Sequence, residues 1–189
     1  EIPVELEVWD LEIPLERSVA TAFGTSSSAY RYYHGGTGEE AEEGYQDIAD
    51  RYFIAMHEHR MDRTHVDGDV DFGFDEHGQL EEVDWTAYDA YMEPWVEGTM
   101  FPDGVGSTRF DVSRFRPGSG TGSWTEDEYA QAAVAFAEHL DEKGWWDQAY
   151  IYASDEPWLY DEDESYEQIH EDAQRLFEAS PLYEGKVLV

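Results

Sequence analysis

Cysteine is absent from this 189-residue chain, which excludes a disulfide framework and thiolate metal sites. Cations are nearly as scarce: 11 Lys plus Arg stand against 45 Asp plus Glu, and Lys143 and Lys186 are the only lysines. The formal net charge of -34 repels nucleic acid and anionic membrane, so neither is an expected partner. No apolar run approaches the roughly 20 residues that a transmembrane helix needs. No phosphate loop is visible either, because Phe23-Gly24-Thr25-Ser26 has neither the glycine spacing nor the lysine of one, and no other cofactor-binding pattern stands out.

What is present is one ordinary domain's worth of chain, 41% apolar and 15% aromatic, enough for a sizeable core. The acids interleave with aromatics instead of forming a tail. Their self-repulsion destabilises the compact state at low salt, whereas at about 1 M salt the Debye length falls to roughly 3 Å. An acidic, lysine-poor surface therefore reads as adaptation to a hypersaline milieu, compatible with a cytoplasmic or an extracellular location. Most of the carboxylates are solvation. Glu1 opens the chain with neither methionine nor a signal-like segment, which suggests a processed product or a piece of a larger protein.

Hydrophobic periodicity orders the rest. Val4-Glu5-Leu6-Glu7-Val8-Trp9 alternates as a half-exposed strand and Ser18 to Gly24 reads as a second, followed by a Ser/Gly/Tyr-rich loop to Gly38. Tyr45, Ile48, Ala49, Tyr52, Phe53 and Met56 make one stripe on a helix of roughly 39 to 59. Met61 to Val66 can return as a strand, Asp67 to Glu82 suits a loop or small hairpin, and Asp84 can cap a helix carrying Trp85, Tyr88 and Met92. Val96 to Phe101 is a further strand candidate, before a long glycine-containing loop from Pro102 to Trp124. Thr125-Glu126-Asp127-Glu128 is a capping box for a helix with Tyr129, Ala132, Ala133, Phe136, Ala137 and Leu140 inward. A last helix turns Tyr166, Ile169, Ala173, Leu176 and Phe177 inward and stops at Pro181, before a strand from Lys186 to Val189.

The most informative stretch is Tyr150-Ile151-Tyr152-Ala153-Ser154-Asp155-Glu156-Pro157. A short apolar strand ends in two adjacent carboxylates, and Pro157 forbids its continuation as a central strand. Strands alternating with helices predict a parallel sheet, and successive βα units predict a TIM-type β/α barrel. About five units are countable where a closed barrel has eight, so the expectation is an incomplete barrel over residues 17–189. Residues 1–16 contribute a stray strand ahead of it.

These pieces carry a resemblance. Tyr152 to Pro157, the upstream Val8-Trp9-Asp10-Leu11-Glu12-Ile13-Pro14, the Ala20-Thr21-Ala22-Phe23-Gly24 strand and Glu58-His59-Arg60-Met61 resemble the catalytic domain of glycoside hydrolase family 123, related to the domain of unknown function 4091. The resemblance implies a β-N-acetylgalactosaminidase with a β-sandwich ahead of the barrel, making residues 1–16 the exit strand of that sandwich. It also implies that Glu156 protonates the leaving oxygen while Asp155 binds the substrate's acetamido N–H. An isolated 189-residue piece is then expected to turn over little.

The chemistry agrees on independent grounds. A two-carboxyl retaining displacement places its acids about 5 to 5.5 Å apart across the anomeric carbon, which adjacent residues suit poorly. They suit substrate assistance, in which the sugar's own 2-acetamido oxygen attacks. Trp124 and Trp158 are candidate sugar platforms; Tyr152, His59 and Arg60 are candidate substrate contacts. The competing reading is a non-catalytic carbohydrate-binding or structural fragment whose acids serve solubility. Asp67-Gly68-Asp69-Val70-Asp71 mimics a calcium loop but has Phe72 where glycine is required and Gly78 in place of the closing glutamate. His57-Glu58-His59 has metal-like spacing with no evident further ligands, so no metal is expected.

Overall fold

A computed structural model describes residues 3–15, 17–24, 27–34, 39–63, 70–112, 124–153 and 162–188. Residues 3–15 run without helix or strand, and the alternating Val4, Leu6 and Val8 are exposed. Helices α1 (Ser27–His34) and α2 (Glu39–Glu58) follow. The first occupies what reads in the sequence as loop; residues 27–34 contain neither glycine nor proline, so nothing in them breaks a helix. His34 Nε2 lies 3.0 Å from the Tyr52 hydroxyl, joining the two helices. Of the expected α2 stripe, Ala49 and Phe53 are buried with Tyr45 and Ile48 packed against them, whereas Tyr52 is 37% exposed.

A hairpin comes next, β1 (Asp71–Phe74) antiparallel to β2 (Leu80–Asp84). Its turn is closed by the Asp75 carboxylate, which accepts the N–H groups of His77 and Gln79 at 2.8 Å each. Gly78 supplies the left-handed φ of +74° that this turn requires. Gln131 clamps the turn from the side, accepting Leu80 N–H at 2.9 Å and donating to Gly78 O at 2.8 Å. Helix α3 (Thr86–Val96) follows; Asp84, one residue ahead of its N-cap Trp85, accepts Thr86 N–H at 2.9 Å, while the N-cap itself makes no side-chain cap bond.

Strand β3 (Phe110–Asp111), helix α4 (Glu126–Glu142), strand β4 (Ala149–Tyr152), helix α5 (Glu162–Ala179) and strand β5 (Val187–Leu188) complete the chain. The three strands form one parallel sheet, ordered β3-β4-β5. The capping box is formed: Thr125 Oγ1 accepts Glu128 N–H at 3.2 Å and Glu128 Oε2 accepts Thr125 N–H at 2.7 Å. All six residues of the expected α4 stripe are buried. They meet α3 and the sheet in one core, where Phe136 packs on Trp85 and Tyr88 at ring separations of 6.0 and 5.4 Å.

The expected β/α barrel is not formed, complete or partial. Among the described residues the strands make only the small parallel sheet and the separate hairpin, far from the eight strands that close a barrel. Two segments explain the difference. Val96 to Phe101, expected as a strand, instead ends α3 and turns: Gly98 has φ +82° and Phe101 N–H bonds back to Gly98 O at 3.0 Å. A short apolar run buries itself as well by this route as by a strand. Of Met61 to Val66, also expected as a strand, the described residues 61–63 carry a single parallel bridge, Phe23 to Arg63, and residues 64–66 lie outside the described residues. Within Asp67 to Glu82, expected as a loop or small hairpin, the described residues form that hairpin. On α5, Leu176 is buried as expected, but Tyr166 and Phe177 are 50% and 41% exposed.

Candidate functional site

The parallel sheet has two unlike faces. Phe110, Val112, Ala149, Ile151 and Val187 point into the helical core. By the period of two, Asp111, Tyr150 and Tyr152 point the other way. This second face is polar yet sheltered: Asp111 is 6% exposed, Tyr150 is buried, and Tyr152, at the carboxyl end of β4, is 37% exposed. Carboxyl ends of parallel strands are where open α/β sheets hold their ligands. β4 lies between β3 and β5, so whatever follows Tyr152 leaves from the middle of the sheet.

Hydrogen bonding at this end departs from a plain ladder. Asp111 pairs with Tyr150, and Val112 N–H donates to Tyr150 O at 2.8 Å. The next rung of a parallel ladder would carry Tyr152 N–H to the Val112 carbonyl. That N–H donates instead to Asp111 Oδ1 at 3.2 Å. Burial, with the Asp111 charge and Tyr152 adding to it, pushes the Tyr150 phenol up to about 12, so it stays a neutral hydroxyl throughout the ordinary pH range.

Asp155, Glu156 and Trp158 lie outside the described residues. Covalent reach alone keeps Asp155 within about 10 Å of the Tyr152 Cα. Trp124 sits edge-on to Phe72 and Phe74, with ring centres 5.4 Å away in each case, as a half-buried wall of the hairpin core. His59 and Arg60 form the exposed turn after α2; Arg60 has φ 61°, and its guanidinium donates to Pro14 O. Of the expected contacts, the structure thus sets Tyr152 at the β4 end, Trp124 against the hairpin and His59 and Arg60 beside the N-terminal segment.

A second polar cluster is built around Asp62 and His57. The buried Asp62 carboxylate pairs with Arg17, accepts Ser107 Oγ–H at 3.0 Å, and accepts the Thr108 hydroxyl. Its backbone N–H donates to Thr21 Oγ1 at 2.8 Å. Arg17 also reaches His57 Nδ1 at 2.6 Å. Since arginine can only donate, Nδ1 accepts, and Nε2–H is left for the Asp103 carboxylate at 2.9 and 3.0 Å. The imidazole lies flat on Phe101, 3.8 Å between centres. Burial works to raise the Asp103 carboxyl, but hydrogen bonds from Val105 N–H and His57 outweigh it and hold it below its ordinary value. His57 is therefore occupied in tying the 17–24 segment and the 103–109 loop to the end of α2.

Sequence reasoning missed Asp111, Tyr150 and the Asp62 cluster. Phe110-Asp111-Val112 does alternate, and that was the available signal; it lies inside a stretch whose glycines and serines read as loop. The partners of Asp62 come from segments about 45 positions apart, a pairing no local pattern reports. Comparison with protein-family models, curated proteins and solved structures finds no match to this chain.

Proposed function

We propose that this chain is a glycoside hydrolase acting on N-acetylhexosaminides, by a substrate-assisted retaining mechanism carried by Asp155 and Glu156. The observation that carries the reading is the course of β4: the middle strand of a parallel sheet ends at Tyr152, three residues before the acid pair. Its carboxyl end is the ligand-binding end of such a sheet. Polar side chains already face that end, from Asp111 on β3 to the half-exposed phenol of Tyr152. No described helix is long and apolar enough to cross a membrane, and the charge of -34 favours a neutral, hydroxyl-rich partner over a polyanion.

In this mechanism the 2-acetamido oxygen of the sugar attacks its own anomeric carbon, the C–O bond to the leaving group breaks, and Glu156 gives its proton to the departing oxygen. Asp155 accepts the acetamido N–H and balances the positive charge that develops on the oxazolinium ring. Glu156, now a carboxylate, takes a proton from water as that water opens the ring at the anomeric carbon, restoring the starting enzyme with retained configuration. Glu156 has to begin protonated, which the neighbouring negative charge of Asp155 favours. Tyr152, with Trp158 and Trp124, would supply apolar faces and hydroxyl contacts for the ring.

The test pairs turnover with binding. In molar KCl, an aryl N-acetyl-β-galactosaminide and a thiazoline analogue of the oxazolinium intermediate are offered to the chain. Expected are binding of the thiazoline and slow but measurable release of the phenol, with Asp155→Asn weakening the first. Absence of both hydrolysis and thiazoline binding overturns the proposal and favours a structural or solubility role for the acid pair.

A further inference from the structure

His57 carries a cation on one ring nitrogen and an anion on the other. Arg17 Nη2 lies 2.6 Å from Nδ1, while the Asp103 carboxylate lies 2.9 and 3.0 Å from Nε2. Because arginine can only donate, Nδ1 presents a lone pair and the ring is neutral in this arrangement. There is little room to adjust: the side chains of His57 and Arg17 are 3% and 4% exposed, and the ring lies flat on Phe101. Protonation puts an N–H on both nitrogens. The new proton then points at a guanidinium that has no acceptor to offer it. The remaining surroundings do not resist the charge. Asp103, from the loop after α3, favours the imidazolium and stays ionised, its carboxyl held below the ordinary value although burial works to raise it. The carbonyl end of α2, where His57 sits in the last turn, favours it too. Asp62 pairs with Arg17 and not with the ring, and Glu58, His59 and Arg60, next along the chain, are exposed. Among the described residues that face the ring, Arg17 is the group that opposes the proton.

We infer that His57 is a proton-operated latch for the segment 17–24: neutral, it accepts Arg17 and holds that segment to the end of α2; protonated, it turns Arg17 away and the segment loosens. Proton and guanidinium compete for one lone pair. The latched arrangement binds one proton fewer than the released one, so latching strengthens as pH rises and weakens as pH falls. Imidazole is the side chain that ordinarily changes charge between about pH 5 and 8, so mild acidification works the latch. With Arg17 turned away, the other bonds carry the segment and open more often. Among them are Asp62 N–H to Thr21 Oγ1 and Phe23 N–H to Asp62 O, each at 2.8 Å. The device does not depend on the glycosidase reading.

NMR of the whole chain in molar KCl, from pH 8 to pH 5, reads both halves of the latch. The ring nitrogens of His57 should show Nδ1 gaining the proton, and over the same interval the hydrogen-exchange protection factor of Phe23 N–H should fall about 10-fold, the worth of a hydrogen bond to a charged group. In His57→Asn, whose side-chain oxygen replaces the Nδ1 acceptor and takes no proton, that protection should not change with pH. In Arg17→Met with Asp62→Leu, which strands no charge, His57 should bind its proton about 10-fold more tightly than in wild type. A His57 ring that stays neutral down to pH 5 overturns the inference, as does Phe23 protection that ignores the His57 titration. An asparagine variant that loses protection as wild type does assigns the response to another group and overturns it as well. Where His57→Asn does not fold, the proton affinity decides: equal values in wild type and the double variant refute the competition with Arg17.

Discussion

Replacing Asp62 with alanine should unfold this protein far more readily than the loss of a surface ion pair would. Asp62 is 2% exposed, and its carboxylate faces the Arg17 guanidinium, itself nearly buried. Truncation leaves that guanidinium beside His57 with no counter-charge, removes the Asp62 acceptor of the Thr108 hydroxyl and leaves Ser107 Oγ to the Arg109 carbonyl at 3.2 Å. Breaking a buried pair by removing one partner costs about 3–5 kcal/mol, a large share of the roughly 5–15 kcal/mol that holds a domain folded. Urea unfolding in molar KCl measures it, with an unchanged slope confirming that stability alone has moved. Replacing both partners, Arg17→Met with Asp62→Leu, should cost less than Asp62→Ala, because no charge is then stranded. A loss under about 1 kcal/mol, the range of exposed pairs, would show that the cluster does not tie the segment 17–24 to the body.

Three further expectations follow from single features. Gly106→Ala should destabilise by about 3 kcal/mol or prevent folding, because an added Cβ would lie 1.9 Å from Val96 O; urea unfolding that places the variant within 0.5 kcal/mol or so of wild type contradicts this packing. Asp103 has a folded-state pKa below its ordinary 3.8, so the stability it adds is present above about pH 4 and is lost as pH falls through the lowered value. Asp103→Asn should flatten the acid side of a stability-against-pH profile, and an unaltered acid slope would exclude that role. Salt should stabilise strongly: like charges about 10 Å apart repel by roughly 0.4 kcal/mol in water, and about 1 M salt removes nearly all of it. A melting temperature that does not rise between low and molar KCl would separate the net charge of -34 from any destabilisation at low salt.

Local structure was legible wherever a pattern ran long enough to be read. The α4 capping box and its six-residue stripe, the α2 helix and the Tyr150 strand each repeat a helical or strand period over several residues, and each forms as read, apart from the exposed Tyr52 of the α2 stripe. Tertiary closure was not legible. β3 is two residues long, too short to stand out inside a stretch whose glycines and serines read as loop, so Asp111 passed as loop. The barrel expectation failed because counting βα units assumes every apolar run becomes a wall strand. Val96 to Phe101 instead turns on Gly98 and Gly106, whose missing side chains let the two backbone stretches touch. His57 drew attention for its spacing to His59, yet its partners Arg17 and Asp103 lie 40 and 46 positions away. Spacing finds candidates along one element; it does not find the residues that the fold brings to them.

The most direct test of the central claim is the turnover of an aryl N-acetyl-β-galactosaminide in molar KCl by wild type and by Glu156→Gln. The account predicts slow but measurable release of the aryl group by wild type and a loss of about 10²- to 10⁴-fold in the variant, the usual worth of a general acid. Hydrolysis by Glu156→Gln at the wild-type rate would contradict it.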